Sequence, residues 1–212
     1  MIIHDVPQKS EAWYKCRLGI PTASAFEKIL SPTGKISTQW EAYAHEILAE
    51  EIVGHAIEGY TSPAMVEGTA REEESRLYYE MERGVDIDLI GFVTDDARTK
   101  GYSPDGFVKG KKRLVEFKNP KHSTQVSYYL EPKGLVQGYW PQLQGGLLIT
   151  GYEGADIVSY FPEMAPKIIP VDRDEAYIRL LDEALKEFNH KLGLKRARLI
   201  ELGHIIPKEQ NT

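Results

Sequence analysis

Residues 103–118 read SPDGFVKGKKRLVEFK, and the fold prediction starts from these sixteen residues. Its two strand-like parts, residues 106–108 and 113–118, are rich in β-branched and aromatic side chains. The four residues between them are one glycine and three lysines, a composition that favours an exposed turn. The stretch therefore predicts an antiparallel β-hairpin.

The predicted hairpin brings two acidic side chains together. If residues 109–112 form the turn, Asp105 lies opposite Glu116, and directly opposed Cβ atoms are about 5 Å apart. Two carboxylates so close repel each other unless a proton or a cation lies between them. Alternation along the strand places Lys118 on the same face as Glu116. Two acids and an amine would then converge, and oxygen ligands of this kind suit Mg²⁺ or Mn²⁺.

The same residues also fit ordinary structure. Residues 103–106 have the composition of a common β-turn, and Glu116 and Lys118 could be the solvated side of an edge strand. As a functional site, a bound metal would polarise a phosphodiester while Lys118 holds the nucleophile or the developing charge. Between Lys109 and Lys121 there are six basic residues and one acid, which fits both interpretations.

Length and composition are those of one domain that spans residues 1–212. Hydrophobic residues make up 42% of the chain and charged residues 27%, as in ordinary globular proteins. The net charge of −6 argues against a protein that coats nucleic acid through bulk charge. The single cysteine, Cys16, excludes a disulfide framework and cysteine-held zinc or iron–sulfur sites. Neither a leader peptide nor a membrane-spanning run is recognisable, so we expect a cytoplasmic protein.

Apolar spacing and end signals predict several helices and strands around the hairpin. Gly193 is predicted to end the last helix, and residues 123–137 are predicted to be a polar connector. The predicted helices are residues 10–17, a short helix after residues 20–24, and residues 38–53, 69–83, 142–150 and 172–192; further strands are predicted at 86–94 and 155–161.

Glu72 has two interpretations. Thr69-x-x-Glu72 is a capping box, in which the glutamate reaches back to the first amide of the helix. However, Leu77 and Met81 define one face of that helix, and Glu72 lies on nearly the opposite face. It could therefore project into a cleft.

The order of the motifs resembles the lambda-type phage exonucleases, a branch of the PD-(D/E)XK nucleases. Each motif is weak alone, but the order and spacing are specific, and they extend from Trp13 to the last helix. The resemblance implies an α/β fold with a mixed central β-sheet flanked by helices, a restriction-endonuclease-like core. The matching motifs are Arg17 with TAS at 22–24, EGTARE at 67–72, SPDG at 103–106, LVEFK at 114–118, YWPQLQ at 139–144 and ITG at 149–151.

The resemblance implies an activity: Mg²⁺-dependent digestion of one strand of linear double-stranded DNA from its 5′ end, leaving a 3′ single-stranded tail. It implies that Asp105, Glu116 and the backbone carbonyl of Phe117 bind Mg²⁺, which Mn²⁺ can replace. It further implies that Lys118 acts on the nucleophile and that Glu72 supports a second metal or its waters.

The resemblance also implies a pocket for the 5′-phosphate of the DNA end, held by Arg17, Ser24 and Ser103. Gln142 matches a glutamine near the catalytic site, although Pro141 departs from the family at that helix. By the same resemblance, the protein would form a ring-shaped homotrimer and work with a phage single-strand annealing protein in DNA recombination. Neither composition nor spacing indicates the trimer or the partner.

Two other functions compete with the exonuclease. A restriction-like or repair endonuclease could use the same core, and only an endonuclease would cut covalently closed DNA. A non-catalytic module that binds DNA ends is the third hypothesis. The presence of Asp105, Glu116 and Lys118 together argues against that module.

Overall fold

The protein is built on two β-sheets, in a computed structural model that describes residues 1–57 and 71–205. The strands are β1 (Ile2–His4), β2 (Ile87–Asp88), β3 (Phe92–Thr94), β4 (Gly101–Tyr102), β5 (Gly106–Val108), β6 (Arg113–Lys118), β7 (Gly154–Ser159) and β8 (Lys167–Asp172). Five of them form one sheet in the order β2-β5-β6-β7-β8, and β1-β3-β4 form the other. Because β6 and β7 are parallel and the other pairs are antiparallel, the larger sheet is mixed, as predicted.

Helices flank this sheet on both sides. The described α-helices are α1 (Glu11–Arg17), α2 (Trp40–Val53), α3 (Glu72–Arg83), α4 (His122–Leu130), α5 (Pro132–Gly138), α6 (Trp140–Thr150) and α7 (Glu175–Glu201). A 3₁₀ helix spans Ala23–Lys28, where the sequence predicted an ordinary short helix.

The central hairpin has the predicted register. Gly106 pairs with Val115 and Phe107 pairs with Leu114. The turn between the strands contains Gly110, whose φ of +73° lies in the left-handed region that favours glycine. Continuing this ladder by one residue sets Asp105 against Glu116.

Alternation along β6 divides the core into two parts. Leu114 belongs to the larger cluster, which packs against α2, α6 and α7. Val115 and Phe117 face the other way, into a smaller cluster that includes Tyr79 of α3. The sheet is therefore buried on both faces.

Two adjacent glycines let α6 lie close to its neighbours. A Cβ on Gly145 would come within 2.4 Å of the Phe26 ring, and one on Gly146 within 2.9 Å of the Tyr102 ring. Close packing explains why this helix keeps two residues of low helix propensity. It also brings the middle of α6 against β4, the strand that leads to Asp105.

The polar connector predicted at residues 123–137 is wrong, because this segment forms α4 and α5. Gln125 is fully buried, and its amide nitrogen donates hydrogen bonds to the carbonyl oxygens of Ser159 and Ala165. Pro132 begins α5, a position where a missing N–H costs nothing. The polar composition of the segment suggested a connector, because the sequence does not show that its polar side chains find hydrogen-bond partners elsewhere in the fold.

Gly193 does not end the last helix, which continues to Glu201. A glycine inside a helix costs about 1 kcal/mol relative to alanine, which packing can outweigh. Beyond it, Arg196 pairs with Glu51 at 2.8 Å and Lys195 with Glu41 at 2.8 Å. Through these contacts, the last part of α7 is held against α2.

The single strand predicted at residues 86–94 is divided. Its first part, β2, pairs with β5, while its last part, β3, belongs to the smaller sheet. Strands β1, β4 and β8 had not been predicted. The other predicted strand and the helix that follows Pro141 are confirmed.

Helix α3 exposes the face that carries Leu77 and Met81, which are 53% and 74% exposed. Its buried side is defined by Ser75 and Tyr79. Glu72 is the first residue of the helix. The predicted cap by Thr69 lies outside the described residues. So do residues 59–63, whose glycine and proline content predicts a loop.

Candidate functional site

Glu116 lies at the centre of a cluster of polar side chains and is only 1% exposed. Its Oε2 accepts hydrogen bonds from Nε2 of Gln142 at 2.8 Å and from Nζ of Lys118 at 3.1 Å. Its Oε1 accepts a hydrogen bond from the hydroxyl of Tyr102, which is also buried. The sequence predicted the first two neighbours but not the tyrosine.

Asp105 immediately precedes β5 and lies beside this cluster. Its Oδ2 accepts a hydrogen bond of 2.7 Å from the backbone N–H of Phe117. Burial raises the pKa of Asp105 well above its usual value, and repulsion from Glu116 and Glu72 adds to the effect. Additional positive charge would therefore stabilise the ionised carboxylate.

Lys118 completes the cluster. Its ammonium lies 3.1 Å from Oε2 of Glu116 and 3.3 Å from Oε1 of Gln142, and 4.4 Å from the ring centre of Tyr139. Burial by itself would lower the pKa of Lys118, but Glu116 and Asp105 raise it above its ordinary value. The amine is therefore held as a cation beside the acids.

Glu72 reaches the same site from α3. It lines a cleft of about 440 Å³ together with Asp105 and Phe117, and Lys9 lies across it. Nζ of Lys9 is 3.8 Å from Oε2 of Glu72. The structure thus brings Glu72 near the acidic pair, as the second interpretation of this residue predicted.

The donor set fits a small divalent cation that keeps most of its waters. Within the described residues, no group of three or more His, Cys, Asp or Glu side chains is close enough to form a metal cage. Asp105 and Glu116 offer hard carboxylate oxygens, and Mg²⁺ is usually held by only one or two of these. Repulsion within the pair supplies the reason for a cation to bind there.

A second polar cluster surrounds Arg17. Its Nη1 donates to Oγ of Ser103 at 2.9 Å, and its guanidinium lies 4.2 Å from the ring centre of Trp13. Trp13 Nε1 also donates to Oγ of Ser103, at 3.0 Å. Burial lowers the pKa of Arg17. Across residues 1–57 and 71–205, no carboxylate lies within salt-bridge distance of this guanidinium.

Ser24 joins this cluster only indirectly. Nη2 of Arg17 is 3.4 Å from Oγ1 of Thr22, which is 3.5 Å from Oγ of Ser24. The hydroxyl of Ser24 is exposed at the end of this chain of contacts. Of the two serines predicted for the phosphate pocket, Ser103 therefore contacts the guanidinium of Arg17 directly, and Ser24 is linked to it only through Thr22.

Sequence reasoning missed the aromatic members of both clusters. Tyr102, Tyr139 and Trp13 carry no charge, so a search for acids and bases passed over them. Tyr102 could have been considered as a site residue, because it immediately precedes the Ser-Pro-Asp-Gly motif in the sequence. Trp13 lies one helical turn before Arg17, a spacing that lets the two side chains meet.

Comparison with protein families assigns this chain to a family. A model described as a YqaJ-like viral recombinase domain matches residues 12–153, about two thirds of the chain. The chain belongs to the YqaJ-like viral recombinase family. The matched segment contains both polar clusters.

Solved structures agree with this family membership. The structure of LHK-Exo in complex with dAMP has a TM-score of 0.81 and 26% sequence identity, covering 92% of this chain and 98% of that one. A structure described as the alkaline exonuclease LHK-Exo from Laribacter hongkongensis has a TM-score of 0.81 and 24% sequence identity, with the same coverage of both chains. A phage-related exonuclease from Haemophilus somnus 129PT has a TM-score of 0.65 and 14% sequence identity, and the match covers 85% of this chain and 96% of that one. This YqaJ-like chain therefore has the lambda-exonuclease-like fold, and its relatives support a nuclease of the exonuclease class.

Two further observations are negative. No curated protein sequence matches the chain significantly. Among the described helices, none is both long and apolar enough to cross a membrane.

Proposed function

We propose that this protein is a Mg²⁺-dependent exonuclease that digests one strand of linear double-stranded DNA from the 5′ end. The product would be a 3′ single-stranded overhang for phage recombination by strand annealing. One observation carries the proposal: Ser103, bound to Arg17, and Asp105, beside Glu116, are separated by a single residue. An anion pocket next to an acidic pair suits an enzyme that holds a terminal phosphate while it cuts nearby.

Asp105, Glu116 and the carbonyl of Phe117 would hold the metal, and Glu72 would support a second metal or its waters. Mg²⁺, or Mn²⁺ in its place, would supply Lewis acidity and positive charge for the phosphodiester. The 2.7 Å bond from the N–H of Phe117 holds one oxygen of Asp105, so the carboxylate has a defined direction. Lys118 and Gln142 hold one oxygen of Glu116 in the same way.

Lys118 would also act on the reaction itself. An ammonium held next to the acids can hold the attacking oxygen by a hydrogen bond and stabilise the negative charge that develops on the phosphoryl group. Gln142 can orient this ammonium, since its amide oxygen lies 3.3 Å from Nζ. The ring of Tyr139 also packs against this ammonium, at 4.4 Å from Nζ to the ring centre.

Arg17, Ser24 and Ser103 would bind the 5′-phosphate. A guanidinium matches a phosphate with two parallel donors, and Arg17 lacks a carboxylate partner within residues 1–57 and 71–205. Ser103 already accepts hydrogen bonds from Arg17 and Trp13, so its hydroxyl hydrogen is directed to a further acceptor. Each cut exposes a new 5′-phosphate, which would draw the strand forward.

The proposal includes double-stranded DNA ends as the substrate, a homotrimer as the active assembly and a single-strand annealing protein as the partner. It places the reaction in the cytoplasm of a bacterial host. These parts rest on the resemblance to lambda-type exonucleases, and size measurement in solution tests the trimer.

Digestion of the linear, nicked and covalently closed forms of one plasmid tests the activity. We expect Mg²⁺-dependent loss of the linear form, with covalently closed circles left intact. A duplex labelled at either the 5′ or the 3′ end of one strand reports polarity, because 5′-to-3′ digestion releases the 5′ label first. The Asp105→Asn variant serves as the control for contaminating nuclease. Cutting of closed circles would instead support a restriction-like or repair endonuclease on this core.

A further inference from the structure

The turn at residues 7–10 is attached firmly to the acidic side of the site. Nε2 of Gln8 donates to the carbonyl oxygens of Pro104 at 2.7 Å and Ile90 at 3.1 Å. Ser10 closes the turn onto Pro7 and caps α1 through its hydroxyl. The turn is thus bonded directly to the residue that precedes Asp105.

Lys9 occupies this turn in an unfavourable backbone conformation. Its φ of +65° lies in the left-handed region, which glycine adopts readily and a lysine adopts at a cost in energy. Strained residues of this kind are concentrated at functional sites. This conformation, together with the bonds of Gln8, directs the side chain of Lys9 into the cleft with Glu72 and Asp105.

The contact between Lys9 and Glu72 does not account for the lysine. Their charged atoms are 3.8 Å apart, beyond hydrogen-bond distance, and the two side chains are 55% and 39% exposed. Ion pairs as exposed as this contribute little to stability, so the amine can exchange its partner easily. The cleft also presents the carboxylates of Glu72, Glu73 and Asp105 to the ligand. Its other cation, Arg76, is paired with Glu80 at 2.8 Å.

We infer that Lys9 binds a backbone phosphate of the DNA strand that lies in this cleft, and so positions the strand over Asp105. The inference rests on the proposed nuclease function, because it requires DNA in the cleft. In the absence of DNA, the ammonium rests near Glu72. When the strand enters, the flexible lysine stem lets the ammonium move from Glu72 to the phosphate.

The Lys9→Gly variant tests the inference well, because glycine removes the amine and also relieves the left-handed strain. Arg98 offers a matched control. It too is a cationic residue at positive φ, +54°, and it is exposed in the turn between β3 and β4, at the end of that hairpin away from Ser103. Lys9→Gly and Arg98→Gly therefore lose the same charge and gain the same backbone freedom, but only one changes the cleft.

Binding of a 5′-phosphorylated duplex is measured at several salt concentrations in EDTA, where the readout does not depend on cleavage. Lys9→Gly should bind several-fold more weakly than the wild type, and the slope of log K against log salt should fall by about one phosphate contact. Lys9→Arg should restore most of the affinity, and Arg98→Gly should behave as the wild type. Thermal melting of Lys9→Gly should be unchanged or raised, which confirms folding.

Equal affinity and salt slope for Lys9→Gly and Arg98→Gly would overturn the inference. That result differs from failure of the proposed function, in which the wild-type protein itself neither binds nor digests linear duplex DNA.

Discussion

The backbone N–H of Phe117 donates a 2.7 Å hydrogen bond to Oδ2 of Asp105. This bond joins the first acidic motif to the strand that carries Glu116 and Lys118. Because the donor is a main-chain group, it is present whatever side chain occupies position 117. The direction of Asp105 is therefore set by the register of the hairpin.

Asp105→Asn should abolish cleavage while preserving the fold. The amide oxygen of asparagine can still accept the bond from Phe117, but the charge needed to hold a metal is lost. We expect a decrease in rate of about 10²-fold or more. Thermal melting in EDTA should be unchanged or higher, because repulsion within the acidic pair is removed. Asp86→Asn, at an exposed acid before β2, is the control. Substantial Mg²⁺-dependent activity in Asp105→Asn would contradict the metal assignment.

Glu116→Ala should destabilise the protein, unlike Asp105→Asn. The truncation leaves the buried hydroxyl of Tyr102 without its acceptor and Lys118 without its nearest counter-ion. Losses of this kind cost about 3 kcal/mol or more. Glu116→Gln should recover much of this stability but no activity, since its carbonyl oxygen still accepts hydrogen bonds. Urea unfolding in EDTA measures the difference, and an alanine variant as stable as the wild type would show that the cluster contributes nothing to folding.

Lys118→Met should lower the rate far more than the affinity for DNA. Methionine keeps an apolar stem of similar length, so packing beside Tyr139 is largely preserved. Loss of a group that stabilises developing charge typically costs about 10²–10³ in rate. Single-turnover digestion and equilibrium binding separate the two quantities. If the rate is retained and only binding weakens, Lys118 is a phosphate anchor and not part of the chemistry.

Arg17→Ala should remove the preference for 5′-phosphorylated ends. The wild type should digest a 5′-phosphorylated duplex faster than a 5′-hydroxyl duplex, because the guanidinium matches the phosphate as a bidentate donor. The variant should slow digestion of phosphorylated ends more than of hydroxyl ends, and Arg17→Lys should restore only part of the difference. Rates are compared at one salt concentration. Equal wild-type rates on both ends would remove the phosphate pocket from the proposal.

Asp95→Asn should destabilise the fold at neutral pH but not in acid. Asp95 accepts two 2.6 Å bonds from Thr99 and lies 3.3 Å from Lys100, which also pairs with Asp182 of α7. Burial works to raise the pKa of Asp95, but the bonds from Thr99 and the charge of Lys100 lower it overall. Its contribution is therefore present above the unfolded pKa of about 3.9 and is lost as pH falls through the lower folded pKa.

Urea unfolding between pH 7 and pH 3 measures this effect. At pH 7 the variant should be less stable by about 1–2 kcal/mol, and the difference should narrow in acid as wild-type Asp95 becomes neutral. Asp96→Asn, in the same turn and 86% exposed, is the control. A difference that does not change with pH would mean that the charge of Asp95 has no part in it.

The local features of the chain were readable from its sequence because they depend on neighbouring residues. Hairpin register follows from turn length and strand alternation, so the opposition of Asp105 and Glu116 was predictable. The cap of α1 by Ser10 and the stop of α2 at Gly54 follow from backbone rules in the same way. Family motifs added the order of the site residues along the chain.

Contacts between residues far apart in the sequence could not be predicted and are seen only in the folded chain. The bond from Tyr102 to Glu116, and the bond from Gln8 to Pro104, depend on how separate elements pack, and no periodicity encodes such contacts. Packing also outweighed local propensity. Contacts with α2 stabilise the part of the last helix that follows Gly193. Buried hydrogen bonds stabilise helices in the polar segment 123–137. Turn chemistry and alternation act over a few residues, whereas burial and charge pairing act across the whole fold. For this reason the hairpin that carries Asp105 and Glu116 could be predicted from the sequence, whereas the residues packed around it could not.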